Sequence, residues 1–281
     1  MPIAPINGTE LHYEVLGNQG PPVLLIMGMR SRGLAWRPVA EDLARDHRVV
    51  WFDHRGIGGS APLADRSTSM AEMAADAMGL AEHLGWDSVH VAGLSMGGMI
   101  AQHVALGHRS RVRSLSLLVT TSCGTSVRRP PFSTIWIYLR TQFGKRQQRL
   151  TALSELLYSE GYRARCGGDE LLTELAQAFG HEHPGTRQAQ YAAVANHDVR
   201  DELHRLADLP SLVIGAGLDR LVPVHHAEDL HKRLSTSELL RFGESGHGVI
   251  AEHTVAVADA VRRLVARTDV RSDFCTEHVL R

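Results

Sequence analysis

The chain has 281 residues and a formal net charge of −1, with 43% hydrophobic and 22% charged residues. That length suits one large domain, or one domain with an insertion, and is ample for a buried core, while the near-neutral balance excludes the basic footprint of a nucleic-acid binder. Three cysteines without CxxC spacing, Cys123, Cys166 and Cys275, argue against a disulfide framework or a zinc site and fit a reducing compartment.

From the start of the chain, Met1 to Val15 has no basic stretch followed by an apolar core, so no signal peptide is expected. Apolar runs such as Pro21 to Met29 fall far short of the ~20 residues a membrane span needs. A cytoplasmic protein without membrane attachment is the expectation. Thr9 to Val15 alternates as an antiparallel edge strand or hairpin would. Six runs rich in Val, Leu and Ile then read as buried parallel strands: Val23 to Met27, Arg48 to Phe52, Ser88 to Ala92, Ser114 to Val119, Ser211 to Ile214 and Glu238 to Phe242. Helical patterns lie between them. Trp36 to Asp46 places Val39, Leu43 and Ala44 on one face. Ser69 to Leu84 spaces Met70, Met73, Ala77, Leu80, Ala81 and Leu84 helically, and Ser69 with Glu72 has capping-box spacing. This alternation predicts an α/β fold, a doubly wound, mostly parallel sheet.

The alternation stops after Val119. Residues 122–206 show helical patterns only and are expected to form a cap over the sheet's C-terminal edge, with residues 1–121 and 207–268 as the core. The chain has 4 Trp, 5 Tyr and 6 Phe, and eight of these rings fall in the cap: Phe132, Trp136, Tyr138, Phe143, Tyr158, Tyr162, Phe179 and Tyr191. They could form the cap's own core or line a substrate cavity, where Trp136, Tyr138 and Tyr158 are the candidates. The first half of the cap is basic, with eight Arg or Lys against Glu155 and Glu160 between Ser122 and Gly168; a solvated helix face and steering of an acidic substrate both fit that charge. Residues 269–281 lack periodicity and are expected to be a loose tail.

Gly93-Leu94-Ser95-Met96-Gly97 follows a strand run and precedes a helical one, the setting of a nucleophile elbow. A serine on so sharp a turn projects its hydroxyl above the sheet, and the turn crowds backbone so closely that small residues must flank it. The helix that follows stabilises developing negative charge at Ser95. A hydroxyl needs a base. Among seventeen histidines, His247 stands out in the turn Glu244-Ser245-Gly246-His247-Gly248 after the last strand run, at the sheet edge toward which the elbow points. Asp219, in the turn after Ser211 to Ile214, would orient it; the alternative roles are a helix-capping aspartate and a solvated histidine. The rival loop Thr120-Thr121-Ser122-Cys123 carries no carboxylate. The oxyanion of acyl transfer needs two N–H donors, expected from Met96 and from Met29 in the Gly28 loop. His225-His226 and His181-x-His183 lack further arranged ligands, so no metal is expected, and no cofactor.

These residues carry a resemblance to the α/β-hydrolase superfamily over nearly the whole chain. Ser95, Asp219 and His247 stand in the family's order. Asp53-His54-Arg55-Gly56-Ile57-Gly58-Gly59-Ser60 resembles its D-x-R-G-x-G-x-S turn, where Asp53, His54 and Arg55 brace loops or contact substrate. Gly28 matches the glycine of its H-G oxyanion loop, with Met27 in place of the histidine, so that loop needs another brace. The Met-Gly start resembles the branch containing aclacinomycin methylesterases, and Gly-Leu-Ser-Met-Gly-Gly-Met-Ile resembles enol-lactonases. The resemblance implies a serine hydrolase acting on a small-molecule carboxylic ester or lactone through an acyl-enzyme. Serine at the elbow excludes the halide-displacing branch, which needs aspartate. A carbon–carbon hydrolase, a lyase or cyclase, and a noncatalytic ligand-binding module are the other readings of the same fold.

Overall fold

The computed structural model describes residues 2–127 and 131–277. Eight strands, β1 (Ile3–Ile6), β2 (Thr9–Leu16), β3 (Pro22–Ile26), β4 (Arg48–Phe52), β5 (Val89–Leu94), β6 (Val112–Leu118), β7 (Ser211–Ala216) and β8 (Ser237–Phe242), make one sheet ordered β1-β2-β4-β3-β5-β6-β7-β8. The pairings from β4 to β8 are parallel, and only the β1–β2 and β2–β4 pairings are antiparallel. The expected α/β fold class is thereby borne out.

Side chains alternate across the sheet as a period of two requires. Leu24, Ile26, Val50, Phe52 and Val91 join one core. Val23, Leu25, Val49, Trp51 and Ala92 join the other. The first core is covered by α2 (Met70–His83) and α3 (Met96–Gly107), which pack on each other, and by residues of α9 (His225–Arg233). The second is covered by α1 (Arg37–Leu43) packed on α11 (Thr254–Glu277). Strands buried on both faces show no polar alternation, which is why β3 and β7, apart from its first residue Ser211, read as apolar runs and β5 is broken only by the buried His90.

The chain between β6 and β7 holds α4 (Phe132–Arg140), α5 (Arg146–Leu157), α6 (Glu160–Arg165), α7 (Gly168–Ala178) and α8 (Thr186–Ala195), and among the described residues no strand beyond isolated bridges. Two of those bridges, Ser31 with Phe179 and Ile57 with Glu182, seat this insertion on the loops that follow β3 and β4, at the C-terminal edge of the sheet. A short helix, α10 (Val249–Glu252), leads into α11. No helix among the described residues is long and apolar enough to cross a membrane.

Of the two expected forms for the start of the chain, edge strand or hairpin, the structure has the hairpin, turned by Asn7 (φ 47°) and Gly8 (φ 74°), a pair suited to a two-residue turn with both φ positive. Two local expectations are corrected. The expected tail is helical as far as Glu277, because α11 continues past Thr268, whose hydroxyl bonds back to Leu264 and Val265; residues 278–281 lie outside the described residues. Only half of the capping box forms. Ser69 Oγ accepts the Glu72 amide at 3.1 Å, but the Glu72 carboxylate pairs with Arg55 instead.

Candidate active site

The turn joining β5 to α3 holds Ser95 at φ 57° and ψ −122°, a backbone state that a side chain rarely occupies unless its surroundings impose it. They do so through close packing. A Cβ on Gly93 would lie 2.2 Å from the Gly97 carbonyl oxygen, and one on Gly97 would lie 2.1 Å from that of Ile26. The Ser95 amide donates to Leu118 O at 2.9 Å, and Thr120 Oγ1 donates to Ser95 O at 2.7 Å. The loop after β6 thus contributes no acid but holds the elbow from behind. Ser95 O also accepts the amides of Gly98 and Met99, which leaves the first amides of α3, those of Met96 and Gly97, without partners inside the helix. Met96 itself is buried.

Asp219 follows β7 and His247 follows β8, and both are buried. His247 Nδ1 lies 2.7 Å from Asp219 Oδ2. A carboxylate only accepts, so Nδ1 carries the proton of this bond, and in the imidazole tautomer so fixed Nε2 is the acceptor. Asp219 Oδ1 is occupied separately, by the amides of Leu221 at 2.7 Å and Val222 at 2.8 Å. One oxygen therefore shapes the loop and the other meets the histidine; α9 begins at His225 without a side-chain cap, so Asp219 does not cap that helix.

Gly28 lies beside the elbow, since a Cβ there would be 3.2 Å from Ser95 Cβ. The brace that replaces the missing histidine at Met27 is His54, whose Nε2 donates to Met27 O at 2.8 Å. Burial pushes the His54 pKa below its ordinary value, so the ring is neutral, with its one proton in that bond. Asp53 and Arg55 brace as well. Asp53 accepts the amides of Gly33 at 2.7 Å and Gly59 at 3.0 Å. Arg55 forks onto Asp76 of α2 at 2.6 and 2.7 Å.

Four groups without any signal in the sequence also gather here. On the insertion, Gln190 Oε1 accepts the Arg30 amide at 2.9 Å, next to Met29, and Glu182 Oε1 accepts from Arg30 Nε and Nη2. Glu252 of α10 accepts the amides of Gly246 and Ser159 through Oε1, and the Ser159 hydroxyl through Oε2. Apart from Gly246 and Glu252, which are 6 positions apart, these partners stand 93 to 160 positions apart along the chain, so no local pattern announces them.

The cap aromatics divide. Tyr158 packs its ring on Gly248, where an added Cβ would meet it at 2.2 Å, and burial raises its phenol above the ordinary value. It joins Tyr162 and Phe179 around a small cluster of Leu157, Leu171 and Leu175 that also takes in Leu221. Tyr138 and Tyr191 share a hydroxyl–hydroxyl bond. Trp136, expected at the cavity, is 65% exposed, and Phe132 and Phe143 are exposed too. Among the described residues, no group of three or more His, Cys, Asp or Glu side chains converges on a metal position.

Residues 21–152 match a family model described as alpha/beta hydrolase fold, and residues 185–273 match one described as TAP-like protein. The chain is 32% identical to a protein of Azorhizobium caulinodans named carbamate hydrolase RutD, over 79% of this chain and 82% of that one. It is 29% identical to a pimeloyl-[acyl-carrier protein] methyl ester esterase of Vibrio vulnificus, over 85% of this chain and 91% of that one. In structure it resembles an enol-lactonase of Burkholderia xenovorans (TM-score 0.81, 22% identity, 94% of this chain and 100% of that chain). It also resembles an esterase of Thermogutta terrifontis (TM-score 0.76, 26% identity, 92% and 94%).

Proposed function

We propose, for a chain that belongs to the α/β-hydrolase superfamily and is an enzyme acting on ester bonds, that Ser95, His247 and Asp219 cleave a small-molecule carboxylic ester or lactone through an acyl-enzyme. The observation that carries this reading is the 2.7 Å contact between His247 Nδ1 and Asp219 Oδ2, beside a serine held in a strained elbow.

Ser95 Oγ attacks the substrate carbonyl carbon while His247 Nε2 takes its proton. Asp219 holds the imidazole in the tautomer that permits this and stabilises the imidazolium that results. The carbonyl oxygen becomes an oxyanion held by the amides of Met96 and Met29. Preorganised donors of this kind account for a large part of the rate enhancement in acyl transfer. Collapse of the tetrahedral intermediate breaks the carbon–oxygen bond, and the leaving alkoxide takes the proton back from His247. In a lactone that alcohol stays tethered to the acyl group. Water then attacks the acyl-enzyme with His247 again as base, releasing the acid and restoring Ser95. Each proton and electron pair is handled by these three side chains, so the chemistry calls on no cofactor or metal. Residues 122–206 act as a cap over this site, and Tyr138 and Tyr158 together with Gly28 contact the substrate. The relatives' names, a methyl ester esterase and a carbamate hydrolase, support an acyl carbonyl with a heteroatom leaving group as the substrate class.

Parallel assays on short p-nitrophenyl esters and on lactones test this. Ser95→Ala should lower kcat by roughly 10⁴- to 10⁶-fold with an unchanged melting temperature. Esterase activity retained by that variant would remove Ser95 from the role.

A further inference from the structure

We infer that Gln190, on the insertion, is a positioning residue for the oxyanion loop: its side chain clamps the Arg30 amide and thereby sets the direction of the neighbouring Met29 amide. This rests on the ester-cleaving reading above and deepens it, by making the oxyanion site a joint product of the core and the insertion.

Four observations converge. Arg30 has φ 64°, a conformation that a non-glycine residue keeps only where its surroundings over-determine it. Gln190 supplies one constraint, since it is fully buried and its Oε1 accepts the Arg30 amide at 2.9 Å. The insertion supplies the others: Glu182 Oε1 takes Arg30 Nε at 3.1 Å and Nη2 at 2.9 Å, and the Ala178 carbonyl takes the Arg32 amide at 2.9 Å. On the far side of the loop, Gly28 abuts Ser95. The segment 28–32 is therefore gripped between the elbow and the insertion, with Met29 at the grip. Finally, the Gln190 Nε2 group is buried and has no hydrogen-bond partner among the described residues. The amide cannot be turned to relieve this, because the Arg30 N–H needs an oxygen opposite it, so the orientation of Gln190 is set by the bond to Arg30.

The chemistry separates the clamp from ordinary packing. Gln190→Glu keeps an oxygen acceptor for the Arg30 amide on a side chain of the same length. Gln190→Met fills the same space and has no oxygen. Three readouts are taken on the full chain: kinetics on p-nitrophenyl acetate, inhibition by a trifluoromethyl ketone that forms an oxyanion on the serine, and hydrogen exchange at residues 28–32. Removing one oxyanion donor outright costs about 10²- to 10³-fold in kcat, so a misdirected donor should cost about 10- to 100-fold. The expected result for Gln190→Met is a fall in kcat of that size with KM within about threefold. The ketone's inhibition constant should rise by the same factor by which kcat/KM falls. Exchange should be faster at 28–32 and unchanged at 93–100, while Gln190→Glu stays near wild type. A Gln190→Met enzyme with wild-type kcat and wild-type ketone affinity overturns the assignment, as does unchanged exchange at 28–32. If wild type neither cleaves esters nor binds the ketone, the ester-cleaving reading has failed. The exchange measurement then still decides whether Gln190 holds the loop.

Discussion

At the scale of single residues, the site depends on carboxylate chemistry and on the room that glycine leaves. In Asp219→Asn, the remaining carbonyl oxygen still serves the Leu221 and Val222 amides, so the loop should keep its shape. The new NH₂ group faces His247 Nδ1 as a donor and forces the other tautomer. We expect kcat to fall about 10³- to 10⁴-fold, the scale seen when a triad acid is neutralised, with little change in melting temperature. Steady-state kinetics checks this, and a fall of less than tenfold would give the orienting role to another group. Glycine chemistry offers a paired test. Gly97→Ala drives a Cβ to 2.1 Å from Ile26 O and 2.6 Å from Met27 O, both backbone atoms that cannot step aside, and overpacking of this kind costs about 1–3 kcal/mol or more. Gly107, at the end of α3, has nothing within 4 Å of a Cβ, so Gly107→Ala should be neutral or stabilise by about 0.5–1 kcal/mol. Urea unfolding of the two variants should move in these opposite directions. The sequence exposed Ser95, Asp219, His247 and Gly97 because each sits in a short motif with a local reason for its residue type. It was silent on Gln190 and Glu252, because a hydrogen bond to a distant backbone amide demands only an acceptor of the right length and leaves no pattern around it.

At the scale of elements, the insertion holds core loops in place as well as covering them. Glu252 of α10 ties Gly246, the residue before His247, to Ser159 at the start of α6. Glu252→Ala leaves the Gly246 and Ser159 amides without their acceptor. Unmade buried hydrogen bonds cost about 1–3 kcal/mol each, so destabilisation of about 2–4 kcal/mol is expected, with a lower kcat because the His247 loop loosens. Glu252→Gln keeps Oε1 for both amides and should lie close to wild type. Chemical denaturation and kinetics together check the pair, and equal behaviour of the two variants would rule out the amide contacts as the cause. The central strands were legible as elements because burial on both faces concentrates Val, Leu and Ile into short runs. The bounds of β1 and the length of α11 were not. Ile3–Ile6 is too short to show a period, and the late turns of α11 mix polar and apolar residues.

At the scale of the whole molecule, buried histidines set the response to acid. Burial holds His54, His90, His103, His197 and His226 below the ordinary value of 6.5, and His197 falls to about 4. A group with a depressed folded-state pKa binds its proton more readily when unfolded. Stability from this source is complete above about pH 6.5 and is lost as pH falls from there toward 4. Melting temperature should therefore drop steadily between pH 7 and 4.5, and the slope should be shallower in His197→Gln. A flat profile across that window would show that these rings do not control acid stability. The overall architecture was legible because two independent signals agreed: alternating strand and helix patterns, and motifs that only make sense at the ends of those strands. The stitching between insertion and core was not legible, because it joins segments whose proximity exists only in the folded chain.

The central claim is that Ser95 is the nucleophile and His247 its base. The most direct measurement is reaction of the native protein with a fluorophosphonate, followed by digestion and mass mapping of the adduct. One phosphonyl group per chain should appear on Ser95. It should be absent in Ser95→Ala and should form at least ~10³-fold more slowly in His247→Ala, since the attack loses its base. An adduct on another residue, or labelling of Ser95 at an undiminished rate without His247, would contradict the account.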